Sequence, residues 1–174
     1  MYELNEPQDE SANFVKVVAR LMEVEYLSVI VDKTKDTEIV QKSLTGKFPI
    51  LEFPDKTCLS EGLSIARYLS ADKYGFYGPD SSQKAQIDQW IDITSSQVAP
   101  QAQNLVQQVT GFAESEIKAF SKSLSAFKQN LTLIEKHLKL RNYLVGYQLT
   151  LADVWLIVNL IAPYQLFIDK KTRD

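Results

Sequence analysis

The sequence predicts a two-part protein, an α/β layer over residues 1–75 followed by an all-helical bundle over 83–174. Three observations predict it. Short β-branched runs alternate with helical apolar stripes in the first half, the composition changes sharply from Tyr74 to Ser82, and only helical periodicity continues beyond. At 174 residues and 45% hydrophobic, the chain has enough apolar material for a proper core.

Met1 to Leu4 starts a strand. Ser11 to Val24 then carries Phe14, Val15, Val17, Val18, Leu21 and Met22 at the spacing that lays an apolar stripe on a helix. Tyr26-Leu27-Ser28-Val29-Ile30-Val31 is short and β-branched, as a buried strand should be. A strand, a crossover helix and a second strand imply a parallel pair. After an irregular stretch from Asp36 to Leu44, Pro49 to Phe53 and Thr57 to Leu59 read as strands joined by the turn Pro54-Asp55-Lys56. A helix from Gly62 to Ala71 closes the half. The order βαβ, irregular helix, ββα is that of a thioredoxin-like layer.

In the second half, Gln83 to Val98 is a helix with Ala85, Ile87, Trp90, Ile91 and Ile93 on one side. A polar helix follows around Ala102 to Val109, then a long amphipathic one from Glu114 to Leu138. The last, from Leu151 to about Ile168, is apolar enough to be buried on most sides. Its start is written out: Thr150 at the N-cap accepts from the Asp153 backbone, Asp153 reaches back to the Thr150 amide, and Leu149 and Val154 stand where a hydrophobic staple needs them.

Composition excludes several function classes. A net charge of −3 disfavours nucleic-acid binding through bulk positive charge and leaves room only for a local basic patch. The single cysteine, Cys58, makes no internal disulfide, which fits a reducing, cytoplasmic setting. No apolar run approaches the roughly 20 residues of a membrane span. With His137 as the only histidine, a catalytic histidine dyad or histidine-rich metal site is excluded; His137 reads as a surface residue, Cys58 as a buried structural thiol, and Lys170 to Arg173 as a solvated basic end.

The phrases Gly46-Lys47-Phe48-Pro49-Ile50-Leu51 and Gly146-Tyr147-Gln148-Leu149-Thr150-Leu151-Ala152-Asp153 resemble the glutathione transferase superfamily over essentially the whole chain. Within it, Ala85 to Ile91, Tyr143 to Gly146 and Ile65 to Leu69 look most like the noncatalytic branch found in translation. That branch comprises the gamma subunit of elongation factor 1 and the transferase-like domains of aminoacyl-tRNA synthetase complexes. The chain ends at Asp174, before the last helices many members carry, and so reads as a piece of something larger.

The resemblance implies a testable thiol site. A transferase needs a donor near the first helix that lowers the thiol pKa. Ser11 is the best-placed hydroxyl, with Tyr2 second, but Glu6, Asp9 and Glu10 make the corner acidic and oppose a thiolate. It needs a backbone edge, which the family forms before a cis-proline, here Phe48-Pro49. It needs a γ-glutamyl anchor, an acid or amide followed by serine; here the pair is Glu61-Gly62, so the hydroxyl is absent. The helix N-terminus after Glu61 still offers N–H groups to a carboxylate.

The reading is therefore a noncatalytic docking module without a cofactor, pairing with transferase-like or translation-factor proteins as a homo- or heterodimer. Leu63, Arg67 and Tyr68 lie on the side such domains pair through. The alternative is a working glutathione transferase with Ser11 activating the thiol. Direct tRNA binding is disfavoured by the acidic balance.

Overall fold

The computed structural model describes residues 1–6, 12–32, 34–71, 73, 75–111 and 117–166. The chain divides into two compact units, Met1–Pro79 and Asp80–Asp174.

The first unit is built on a four-stranded sheet in the order β2-β1-β3-β4. β1 (Tyr2–Glu6) runs parallel to β2 (Tyr26–Ile30), with Leu4 opposite Ser28. It runs antiparallel to β3 (Ile50–Glu52), with Leu4 opposite Leu51, and β4 (Cys58–Ser60) continues antiparallel beyond β3. The first strand extends through Asn5 and Glu6, past the expected end at Leu4. Polar side chains hid that extension, and only pairing with β2 on one side and β3 on the other makes it a central strand.

Helix α1 (Asn13–Leu21) buries Phe14, Val15, Val18 and Ala19, the stripe its periodicity predicts. It packs beside α3 (Gly62–Ser70), and Val15, Ala19 and Leu69 meet Leu4 and Leu51 of the sheet in one apolar interior. The irregular stretch holds a one-turn helix, α2 (Thr37–Gln41), with no buried residue.

The second unit starts at α4 (Ser81–Ile93), where the Asp80 carboxylate accepts from the Gln83 amide at 2.9 Å. The sequence places this start at Gln83 and separates two helices after Val98. The chain instead runs on through a π-helical turn (Thr94–Val98) into α5 (Ala99–Val109), with Pro100 in the first turn of α5. Proline there has no N–H to continue the ladder, and the widened turn finds partners on other helices. Asn130 Nδ2 of α6 (Ile117–Leu138) donates to the Gln97 carbonyl at 2.8 Å, and Trp155 Nε1 of α7 (Leu151–Leu166) donates to Ser95 Oγ at 3.0 Å. Ile87, Ile91, Leu105, Phe127 and Leu151 form the interior of this bundle. No helix among the described residues is long and apolar enough to cross a membrane.

Candidate functional site

The corner that the sequence assigns to a tripeptide lies within the first unit. The chain enters β3 through Phe48-Pro49, whose peptide bond is cis, and Ile50 then pairs with Asn5 of β1. Across the corner, Glu61 precedes α3 with φ 73° and ψ 120°, a left-handed backbone costing a non-glycine residue about 1–3 kcal/mol. No side chain caps the helix it starts. The exposed Glu61 carboxylate accepts a hydrogen bond from Thr45 Oγ1 at 2.9 Å, so the expected anchor already has a protein partner. Thr45 had no signal in the sequence, because its 16-residue separation from Glu61 is bridged only by the fold.

Gly62 is not forced by crowding. A Cβ at this position would lie 3.7 Å from Phe14 Cδ1 and 3.7 Å from Val15 Cγ2, which is ordinary contact. The corner therefore has room for a side-chain Cβ where glycine stands.

The candidate thiol activator Ser11 lies outside the described residues, as do its neighbours Asp9 and Glu10. Helix α1 begins after Ala12, without a side-chain cap. The expectation that Glu6 adds to an acidic corner needs correction. Its carboxylate is buried, lies 2.6 Å from Lys16 Nζ and accepts from Ser28 Oγ at 2.5 Å. Its charge is compensated within the fold and does not face a ligand. Tyr2, the second donor candidate, sits at the other end of β1, its hydroxyl 3.0 Å from that of Tyr68.

The three predicted interface residues share α3 but differ in exposure: Leu63 and Arg67 are half-buried, while Tyr68 is 44% exposed. Tyr68 packs edge-on against Phe53 with ring centroids 5.0 Å apart, and both rings contact Tyr2. The Arg67 guanidinium lies 5.8 Å from the centre of the Tyr77 ring.

Other residues singled out by the sequence are tied to structure. Cys58 is half-buried; burial, then the nearby Glu52 carboxylate, pushes its thiol upward, away from the thiolate that a nucleophile needs. Glu52 is itself nearly fully buried and pinned by Lys42 and Lys56, each with Nζ 2.7 Å from a carboxylate oxygen. Hydrogen bonds from these two lysines hold its carboxyl below the ordinary range. His137 is not the simple surface residue expected: its ring contacts Trp90 at 4.5 Å between centroids, and Nε2 lies 2.8 Å from the Leu144 carbonyl.

At the start of α7 the hydroxyl works in the opposite sense to the expectation. Thr150 Oγ1 donates to Asp153 Oδ2 at 2.7 Å, and the Thr150 amide donates to the same oxygen at 2.9 Å. Asp153 Oδ1 accepts from the Leu144 amide at 2.8 Å. The aspartate is the centre of this cap and also ties the preceding loop to the helix.

No family model matches the chain. In sequence it is 30% identical over 140 residues to Elongation factor 1-gamma-A of Xenopus laevis, an overlap of 80% of this chain and 32% of that protein. It is 32% identical over 138 residues to Elongation factor 1-gamma 1 of Oryza sativa subsp. japonica, an overlap of 78% and 33%. The chain thus spans about a third of the length of these curated relatives. Among solved structures, a glutathione S-transferase from Pseudomonas fluorescens matches with a TM-score of 0.80 and 26% identity, covering 95% of this chain and 86% of that one. The Glutathione S-transferase from Ascaris lumbricoides matches with a TM-score of 0.81, 22% identity, and coverage of 95% and 82%, a likeness of fold.

Proposed function

We infer that this glutathione-transferase-like chain, similar in sequence to elongation factor 1-gamma, is a noncatalytic docking module of the translation machinery, working in the cytoplasm through protein contacts. The observation that carries the reading is the sequence likeness to elongation factor 1-gamma across 80% of the chain. The corner at Glu61-Gly62 supports it: Gly62 supplies no hydroxyl, and Thr45 already donates to one oxygen of the Glu61 carboxylate. A missing hydrogen bond of this kind is worth about 0.5–1.5 kcal/mol, enough to weaken a tripeptide by up to roughly tenfold. The reading needs no cofactor. Partners are translation factors or other transferase-like domains, joined as homo- or heterodimers.

The surface we assign to docking is that of Leu63, Arg67 and Tyr68, because a tyrosine and an arginine held by neighbouring rings are the residue types that anchor interfaces. Titration calorimetry of glutathione into the protein, beside a thiol-conjugation assay, tests the noncatalytic reading. The expected result is neither heat nor turnover from a folded sample. Micromolar binding with turnover would overturn it. Arg67→Glu is expected to lower the assembly mass seen by light scattering while circular dichroism stays unchanged, and an unaltered mass would count against this surface.

A second reading, a working transferase, draws on one specific observation. Glu61 retains a strained backbone at the entrance of α3, where helix N–H groups favour a carboxylate. The same titration separates the two.

A further inference from the structure

We propose that the solvent face of α6, continued by the turn after it, is a docking surface for the phosphate backbone of single-stranded RNA. Between residues 117 and 152 the exposed charges are Lys118, Lys122, Lys128, Lys136, Lys139 and Arg141 against Glu135 alone, six cations to one carboxylate. The overall charge of −3 conceals this stripe, because the first unit holds most of the acids. Among the described residues none of these lysines forms an ion pair.

The arrangement is linear. At 3.6 residues per turn, Lys118, Lys122 and Lys136 fall within about 40° of one another around the helix, and at 1.5 Å per residue they extend over about 27 Å. Phe127 and Ile134, the buried residues of α6, lie on the opposite side. The helix is thus anchored by one face and presents a row of ammonium groups on the other.

Two features favour RNA over an acidic protein. The exposed residues between the lysines include Ser121, Ser125 and Gln129, neutral groups able to donate to phosphate oxygens. Protein interfaces, in contrast, have apolar centres depleted of lysine, whereas the exposed aliphatic side chains here, Ile117 at the start of α6, Leu133 near its end and Leu140 in the turn, are spread along the stripe rather than gathered at a centre. Beyond the C-terminal end of the stripe, Tyr147 is fully exposed and presents a ring on which a base can stack. The choice of RNA among polyanions rests on the translation reading above, whereas the surface itself rests on the charges.

The test is fluorescence anisotropy of a labelled single-stranded RNA 20-mer with the full chain, alongside labelled polyglutamate. Expected is RNA binding that weakens steeply between about 50 and 200 mM salt. The triple substitution Lys118→Glu, Lys122→Glu and Lys136→Glu should weaken it at least about tenfold. The slope of log K against log salt should become shallower by about 2, at about 0.7 per lost phosphate contact. The corresponding triple Lys→Arg variant should retain binding, and so should Arg20→Glu with Lys35→Glu on the first unit. No RNA binding at low salt, binding indifferent to the α6 triple substitution, or tighter binding of polyglutamate would each overturn the proposal. Loss of RNA binding leaves the light-scattering and glutathione tests of the docking reading untouched, so the two ideas fail separately.

Discussion

The starts of α7 and α3 are both helix N-termini, yet they are finished in opposite ways. At α7, the Asp153 carboxylate takes the Thr150 amide, the Thr150 hydroxyl and the Leu144 amide, all buried. At α3, Glu61 sits in a strained conformation, no side chain caps the helix, and the carboxylate turns to Thr45 in another loop. The first terminus is closed by its own sequence and holds the fold. The second is left open, as a ligand site would be, while its ligand groups are incomplete. The difference separates what the transferase fold needs for stability from what thiol chemistry needs.

Substitutions can break that contrast, and the largest effect is expected at Asp153. Asp153→Ala strands two buried amides and a hydroxyl, and should cost about 3 kcal/mol or more in urea unfolding, at roughly 1 kcal/mol or more per lost bond. A cost below about 1 kcal/mol would show that the cap is redundant.

Next comes Glu52→Gln, which leaves Lys42 and Lys56 without their shared carboxylate and should cost about 2 kcal/mol at neutral pH. The sign follows from the depressed carboxyl. The Glu52 contribution is complete above the ordinary value of 4.5 and is lost as pH falls through its lower folded value, so the gap between wild type and variant should close in acid. The raised lysine values act at the other extreme, with their share lost only as pH climbs above 10.5. Parallel stability curves across the acid range would contradict the pairing.

Thr150→Val removes the hydroxyl while keeping the amide bond to Asp153, and a loss of about 1 kcal/mol is expected by thermal or urea unfolding. The smallest stability change should come from Gly62→Ser, within about 0.5 kcal/mol, since the new Cβ meets only ordinary contacts. Its value lies in sharpening the comparison. If the corner lacks only the hydroxyl, glutathione affinity measured by calorimetry should rise by up to about tenfold. No gain would place the defect at Glu61, where Thr45 competes for the carboxylate.

Much of the fold was legible because its signals are local. The stripe of Phe14, Val15 and Val18, the turn at Pro54-Asp55-Lys56 and the Thr150-to-Asp153 pairing each declare themselves within a few residues, and so does the β-branched run at Tyr26 as a strand, although it lies at the sheet edge with Leu27 and Ile30 exposed rather than buried as expected. The π-helical turn at Thr94–Val98 was not legible, since its stability depends on Asn130 and Trp155 from other helices. Of the candidate site, Phe48-Pro49 and Glu61-Gly62 could be named from the sequence, but the engagement of Glu61 by Thr45 could not.

By itself the sequence determined the periodicities, the turns, the pairing of Thr150 with Asp153 at the start of α7 and the residue types at the tripeptide corner, because each depends on neighbours within about four positions. Tertiary structure decided where the charges went. Glu6 reads as an acid facing a ligand, yet strand pairing brings it to Ser28 and helix packing brings it to Lys16, so its charge is spent inside the fold. The α6 lysines, which the average charge of the chain hides, gain their common direction from the burial of Phe127 and Ile134 opposite them. A side chain's chemistry is set by its residue type, but its availability to a partner is set by what the rest of the chain places against it.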